Sequence, residues 1–100
     1  MAKKLSAWRD KIDAIDAELL RLLNQRAECV IEIGKFKRKE NLPIYDPRRE
    51  AEVIAHVTGL SRGPLEAKAV ARLFERIIDE SRRVERLATE EKSVKTEPRA

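Results

Sequence analysis

The sequence has few of the residues that build disulfide bridges or metal sites. Cys29 is its only cysteine and His56 its only histidine. One cysteine cannot form an internal disulfide, and one cysteine with one histidine cannot supply a structural zinc site. With three glycines and an aromatic content of 4%, the composition favours long helices over sheets. No metal is expected.

Long apolar runs are also missing. A membrane-spanning helix needs about 18 or more consecutive apolar residues, and the uncharged apolar stretches here are far shorter. The start MAKKLSAWRDK has no apolar stretch of the kind found in signal peptides. We therefore expect a cytoplasmic protein that does not associate with a membrane.

Charged residues are abundant by contrast. They make up 40% of the 100 residues, with a net charge of +4, and the length corresponds to one domain. We place that domain at residues 1–88 and expect 89–100 to be a frayed or disordered tail. An excess of cations suits an anionic partner, whether nucleic acid, lipid or a small acid.

The first half of the sequence predicts one long helix. Apolar residues recur there in steps of three and four, with one break: Leu5, Trp8, Ile12, Ile15, Leu19, Leu22, Cys29, Ile33 and Phe36. A helix of roughly 34 residues would be about 50 Å long, more than a compact domain of this size can cover. Dimerisation would supply the missing cover.

Two shorter helices are predicted after this one. Pro43 ends the first helix, and Asp46 with Pro47 is a typical helix start. The second helix should be short, because the turn-forming segment from Gly59 to Pro64 stops it. Its inward residues should be Val53, Ile54 and Val57. Pro64 should open the third helix, whose apolar face comprises Val70, Leu73, Phe74, Ile77 and Ile78.

Two cations interrupt the apolar stripe of the first helix. Arg26 fills the break between Leu22 and Cys29, and Lys37 lies within about 20° of the same face. A buried charge needs a carboxylate or an anionic ligand as its partner. Ser81 and Glu85 continue the apolar face of the third helix and should meet these cations. A purely structural Arg26–Glu85 salt bridge is the alternative.

Arg9 is too distant to join Arg26 within one chain. The two lie 17 residues apart, which is about 25 Å along a helix. An antiparallel helix from a second copy could bring its own Arg9 beside Arg26, giving two equivalent sites in a symmetric dimer.

Several groups of residues resemble the all-helical class of chorismate mutases. They are the run from Arg9 to Asp16, the spacing of Arg26 and Lys37, and the segment PIYDPRRE at 43–50. Ser81 and Glu85 fall in register with them, so the resemblance covers about residues 5–88. It implies an all-α intertwined homodimer of three-helix chains. It also implies conversion of chorismate to prephenate without a cofactor, in aromatic amino acid biosynthesis.

The resemblance implies that Arg26, Lys37 and Glu85 are the catalytic residues. Arg26 and Arg9 of the partner subunit would hold the carboxylates of the substrate. Lys37 would reach the ether oxygen and a carboxylate. Glu85 stands where many family members have glutamine, and would donate a hydrogen bond to the same ether oxygen.

Four further residues are implied to bind the substrate. Glu50 and the backbone at Asp46 would receive the ring hydroxyl. Arg49 and Ser81 would complete the wall near the ring carboxylate.

Two other functions remain open from the sequence. An isochorismate pyruvate lyase uses the same fold and similar cations, although the LPIYDPRRE segment favours the mutase. A basic helical dimer that binds nucleic acid is more distant, because its cations should lie on an exposed face. A partner enzyme of the same pathway cannot be identified from the sequence.

Overall fold

The structure, a computed structural model, describes the backbone of residues 2–96 and the side chains of residues 3–88. Within that part of the chain the regular elements are three helices: α1 (Ala2–Lys39), α2 (Pro47–Leu60) and α3 (Ala67–Thr96). The predicted all-helical class, with one long, one short and one medium-long helix, is confirmed. No helix in the described range is both long and apolar enough to cross a membrane.

Helix α1 ends in a cap in which one residue, Asn41, adopts the left-handed backbone conformation. Asn41 has a φ of 56°, a region that asparagine tolerates better than most residues because its side chain is short and polar. The amide of Leu42 donates to the Lys37 carbonyl at 2.7 Å, and the amide of Asn41 donates to the Arg38 carbonyl at 3.2 Å. This pair of hydrogen bonds is a Schellman motif. It turns the chain sharply before Pro43.

The predicted start of α2 is confirmed. Asp46 is the N-cap, and its carboxylate accepts the Arg49 amide at 3.1 Å while Pro47 occupies the first turn. The helix ends at Leu60, where Ser61 adopts an extended conformation. The cap therefore fixes where the first turn of α2 begins.

The predicted start of α3 at Pro64 was wrong. The helix begins at Ala67, and the Glu66 carbonyl accepts its first helical bond, from Val70, at 3.0 Å. The Ser61 hydroxyl donates to the Leu65 carbonyl at 2.5 Å. That bond closes a bend across residues 61–65, so Pro64 belongs to the connecting loop.

The backbone of α3 is helical as far as Thr96. Side chains from residue 89 onward and all of 97–100 lie outside the described residues. The domain boundary at 88 and the frayed tail at 89–100 stay predictions.

The packing is centred on α3. Both α1 and α2 pack against it, and Val70 and Ile78 are its buried apolar residues. Phe74 and Ile77 are half-buried, as are the three inward residues predicted for α2. Leu73, predicted to face inward, is 53% exposed; it lies on a side of α3 that neither α1 nor α2 covers. The core within one chain is therefore small.

The first half of α1 has no cover from its own chain. Every described side chain from residue 3 to 22 is exposed, including Leu5, Trp8, Ile12, Ile15, Leu19 and Leu22. The chain measures 65 × 34 × 15 Å with a radius of gyration of 18.2 Å, against about 13 Å for a compact domain of 100 residues. The apolar stripe is thus left open, and the intertwined homodimer that would cover it stays a prediction.

Candidate active site

One pocket of about 260 Å³ lies where the second half of α1, the α1–α2 loop and the start of α2 meet α3. Seven of the eight predicted site residues line it: Arg26, Lys37, Asp46, Arg49, Glu50, Ser81 and Glu85. Most of the remaining wall is aliphatic. Apolar walls exclude water and strengthen the electrostatic contacts that the polar groups make inside.

Arg26 reaches the pocket from the middle of α1. Its Nη1 donates to the Ser81 Oγ at 2.5 Å, and that hydroxyl donates in turn to the Ile77 carbonyl at 2.8 Å. The structural alternative of an Arg26–Glu85 salt bridge was therefore wrong, since the guanidinium is held by a neutral hydroxyl. A hydroxyl leaves the positive charge of Arg26 uncompensated, as a site for an anion requires.

Lys37 lies in the last turn of α1. Its Nζ donates to the Ile44 carbonyl at 3.0 Å. An ammonium group has three donors, so two remain for a ligand while the third fixes the side chain to the loop. The half-buried stem directs the ammonium group into the pocket.

Glu85 is the most buried charged side chain among those described, with 6% of its surface exposed. Burial raises the pKa of Glu85 above the ordinary value for glutamate, and the nearby Lys37 ammonium opposes part of that rise. The carboxyl lies against Gly34 on α1. A raised pKa favours the protonated form, which can donate a hydrogen bond.

The first turn of α2 brings three predicted residues together. The Asp46 side chain is occupied in capping, and the Asp46 carbonyl accepts the Glu50 amide at 3.1 Å. Arg49 lines the pocket but is mostly exposed, with its Nη1 3.8 Å from Glu52 Oε1. That weak surface pair leaves the Arg49 guanidinium available to an anionic ligand.

The sequence prediction missed Arg82. Arg82 lines the same pocket and donates two hydrogen bonds to the Glu50 carboxylate, of 2.8 and 2.9 Å. Its guanidinium carbon lies 5.6 Å from the centre of the Tyr45 ring. The hydrogen bond with Glu50 is the main reason that the pKa of Arg82 is raised. No spacing in the sequence indicates this contact, because it depends on how α2 packs on α3.

Arg9 is the predicted site residue that lies outside the pocket. It is exposed on the first half of α1, and a rise of 1.5 Å per residue puts it about 25 Å from Arg26 along the same helix. A single chain therefore does not bring it to the site. Its contribution from a partner subunit stays a prediction.

The lining residues define what the pocket can do. Four cationic side chains line it, one of them paired with Glu50, together with a carboxyl whose pKa is raised by burial, so it suits a small, multiply charged anion. His56 does not line it, and neither Ser81 nor Cys29 therefore has an imidazole base beside it. The chain is therefore an all-helical fold whose pocket has the charge and shape to hold a small anion.

Comparison with known proteins identifies the family. The chorismate mutase type II family matches residues 8–86. The chain is 36% identical to a chorismate mutase from Thermus thermophilus, with a TM-score of 0.81 over 83% of this chain and 94% of that one. A chorismate mutase from Helicobacter pylori, solved in complex with prephenate, has 30% identity and a TM-score of 0.80 over 87% and 94% of the two chains. This chain belongs to the chorismate mutase type II family, as the resemblance implied.

Curated relatives are much longer than this chain. A bifunctional chorismate mutase/prephenate dehydratase from Neisseria gonorrhoeae is 44% identical over 81 residues. The match covers 81% of this chain but 22% of that relative. The chain thus spans about a fifth of the length of the curated relatives it matches.

Proposed function

We propose that this protein is a chorismate mutase that acts in the cytoplasm on chorismate and releases prephenate, without a cofactor, in aromatic amino acid biosynthesis. The observation that carries the proposal is the convergence of Arg26, Lys37 and Glu85 in one largely aliphatic pocket. Chorismate carries two carboxylates and an ether oxygen, which are the groups that two cations and a protonated carboxyl recognise.

The reaction needs neither a nucleophile nor a proton transfer. One C–O bond breaks and one C–C bond forms within the same molecule. The protein must therefore hold the flexible substrate in its compact reactive conformation, and a fitted cavity achieves this by restricting its freedom. A pocket of about 260 Å³ with aliphatic walls suits a single small ring compound.

Lys37 and Glu85 are the groups that stabilise the transition state. Negative charge accumulates on the ether oxygen as the C–O bond lengthens, and donors already aimed at that oxygen lower the barrier. The Lys37 ammonium is fixed by the Ile44 carbonyl and retains two free donors. Glu85 supplies a second donor when it is protonated, which its raised pKa favours.

The remaining residues hold the substrate in place. Arg26, already oriented by Ser81, binds one carboxylate, and Arg49 lies where it can bind the other. Glu50 and the backbone at Asp46 receive the ring hydroxyl. The contacts from Arg49, Glu50 and the Asp46 backbone are made equally in the ground state and the transition state, so they govern affinity more than rate.

Two identical sites in a homodimer complete the proposal. The exposed apolar stripe of α1 is the surface on which a second copy would pack in the opposite direction. Arg9 of the partner subunit would then close the pocket over a substrate carboxylate.

The test is a direct assay of the purified chain. Loss of chorismate absorbance should accompany the formation of prephenate, identified by mass spectrometry or by acid conversion to phenylpyruvate. Isochorismate should be assayed in parallel, because release of salicylate and pyruvate would instead indicate the lyase. Absence of turnover on either substrate, with tight binding to DNA or RNA, would favour the nucleic-acid-binding alternative.

A further inference from the structure

Arg82 joins three parts of the structure at the edge of the pocket. Its Nε and Nη2 donate to the two carboxylate oxygens of Glu50 on α2, at 2.8 and 2.9 Å. Nη2 also lies 3.3 Å from Asp79 Oδ1 on its own helix. The guanidinium stands over the Tyr45 ring of the α1–α2 loop. We call the paired hydrogen bonds from Arg82 to Glu50 the fork. Together with the Asp79 carboxylate and the Tyr45 ring, the fork leaves the Arg82 side chain little freedom to rotate.

Glu50 creates an electrostatic difficulty for the proposed substrate. Its carboxylate lines a pocket meant for a dianion, and like charges at close range disfavour binding. Yet an ionised carboxylate is also a strong acceptor for a ring hydroxyl. The site therefore needs the Glu50 carboxylate as a hydrogen-bond acceptor, with its negative charge cancelled by a nearby cation.

We propose that Arg82 is a positioning residue, which cancels the charge of Glu50 and fixes its carboxylate so that it can accept the ring hydroxyl of a dianionic substrate. This inference rests on the proposed function, and it specifies how Glu50 can accept the ring hydroxyl of the substrate. The geometry is suitable because a carboxylate has about four lone-pair sites. The fork occupies one site on each oxygen and leaves the others for the substrate.

The position of the pair supports this role over a purely structural one. The Glu50 side chain is 24% exposed and that of Arg82 is 47% exposed, so the pair lies at the rim of the site. Pairs with this much exposure contribute little to folding stability. The bidentate geometry nevertheless orients the carboxylate closely.

A double-mutant cycle tests the proposal. The variants are Arg82→Met, Glu50→Gln and both together, with Arg82→Lys as a variant that keeps the charge but loses the planar fork. Arg83→Met is the matched control, because it removes the same charge from the next residue of α3, which is exposed and does not line the pocket. Circular dichroism and thermal unfolding are measured for each, and chorismate kinetics at fixed ionic strength give KM and kcat.

We expect the KM of Arg82→Met to rise by about 5- to 20-fold, which is comparable to the loss of one ordinary hydrogen bond to the substrate, with kcat changed by less than about threefold. A contact made in both the ground and transition states affects KM in this way. Arg82→Lys should lie in between, and Arg83→Met should match the wild type. In the Glu50→Gln background, Arg82→Met should change KM by less than about twofold, since the charge to be cancelled is gone.

Two results would overturn the inference while the proposed function stands. One is an Arg82→Met KM no higher than that of Arg83→Met. The other is an equal effect of Arg82→Met with and without Glu50→Gln, which indicates a role independent of Glu50. If Arg82→Met does not fold, Arg82→Lys takes its place in the cycle with the same criteria. A wild-type protein without chorismate turnover removes the proposed function itself, and this inference with it.

Discussion

Gly34 on α1 gives Glu85 on α3 the room to lie inside the helix contact. A Cβ at position 34 would lie 2.9 Å from both Cγ and Oε2 of Glu85, closer than such atoms can approach without a shift. Gly34 is itself buried. Because Gly34 has no side chain, the buried carboxyl of Glu85 can lie against α1 at this position.

Gly34→Ala should reduce activity more than stability. Alanine normally stabilises a helix by about 1 kcal/mol relative to glycine, and here that gain opposes the cost of displacing Glu85. We expect kcat to fall by about tenfold or more, with a small change in Tm. Gly59→Ala is the matched control, because it lies in α2 with nothing within 4 Å of the added Cβ. The control should be fully active and slightly more stable; equal activity in both variants would refute the positioning of Glu85 by Gly34.

The pH dependence of the rate should reflect Glu85. Burial raises the pKa of Glu85, and the protonated carboxyl is the form that donates to the ether oxygen. Catalytic efficiency should therefore fall as pH rises through this pKa, whereas Glu85→Gln should keep its activity to higher pH because an amide donates regardless. Rate–pH profiles of the two proteins decide the matter. Superimposable profiles would exclude Glu85 as the donor.

The same group should affect stability in a defined direction. A free glutamate titrates near about 4.3, and the folded protein holds its Glu85 proton above that value. This contribution to the free energy of unfolding is fully present below the unfolded pKa and is lost as pH rises through the folded pKa. The Tm of wild type relative to Glu85→Gln should thus decline as pH rises from the unfolded pKa through the folded pKa. An increase over that range would mean that the pKa is lowered instead.

Arg26→Met should abolish most activity without destabilising the protein. The guanidinium contacts a neutral hydroxyl, so removing it breaks no ion pair, and an uncompensated half-buried cation is itself unfavourable. We expect a loss of about 2 to 4 kcal/mol of transition-state stabilisation, with Tm unchanged or raised. Arg38→Met, on the exposed face at the end of the same helix, should remain active. A marked fall in Tm for Arg26→Met would indicate a structural role for the cation.

Shared sites can be tested by mixing two inactive variants. Arg9→Ala and Arg26→Ala should each be inactive alone, yet equal amounts refolded together should recover about a quarter of wild-type activity. Half of the dimers are then mixed, and one of their two sites is intact. Light scattering should give about twice the chain mass of 11.5 kDa. Full activity from a particle of single-chain mass, or no recovery after mixing, would contradict the shared site.

Much of this architecture could be read from the sequence because its signals are local. The step of three and four in α1, Asp46 before Pro47, and Arg26 in an apolar stripe each depend on neighbouring residues. Pro64 misled because proline is common both at helix starts and in loops. The hydrogen bond from Ser61 to the Leu65 carbonyl places Pro64 in a loop and not at a helix start. That bond has no sequence signature.

The two residues that sequence reasoning missed depend on packing between helices. Arg82 is one of many arginines on a charged helix, and its pairing with Glu50 follows from the placement of α2 on α3. Gly34 did leave a signal, because it is the one glycine within a long predicted helix, where glycine is costly. Such a residue suggests a close approach, although the sequence does not identify Glu85 as the neighbour.

The cap at Asn41 makes the loop between α1 and α2 less tolerant of changes in length than the connection between α2 and α3. Lys37 accepts the Leu42 amide with its carbonyl and donates to the Ile44 carbonyl with its ammonium group. A residue inserted or deleted between positions 40 and 46 would consequently displace the ammonium group. The connection at 61–66 contributes no residue to the pocket. Natural length variation, or a grafted peptide, should therefore be tolerated around Arg62 and Gly63 and selected against in the first loop.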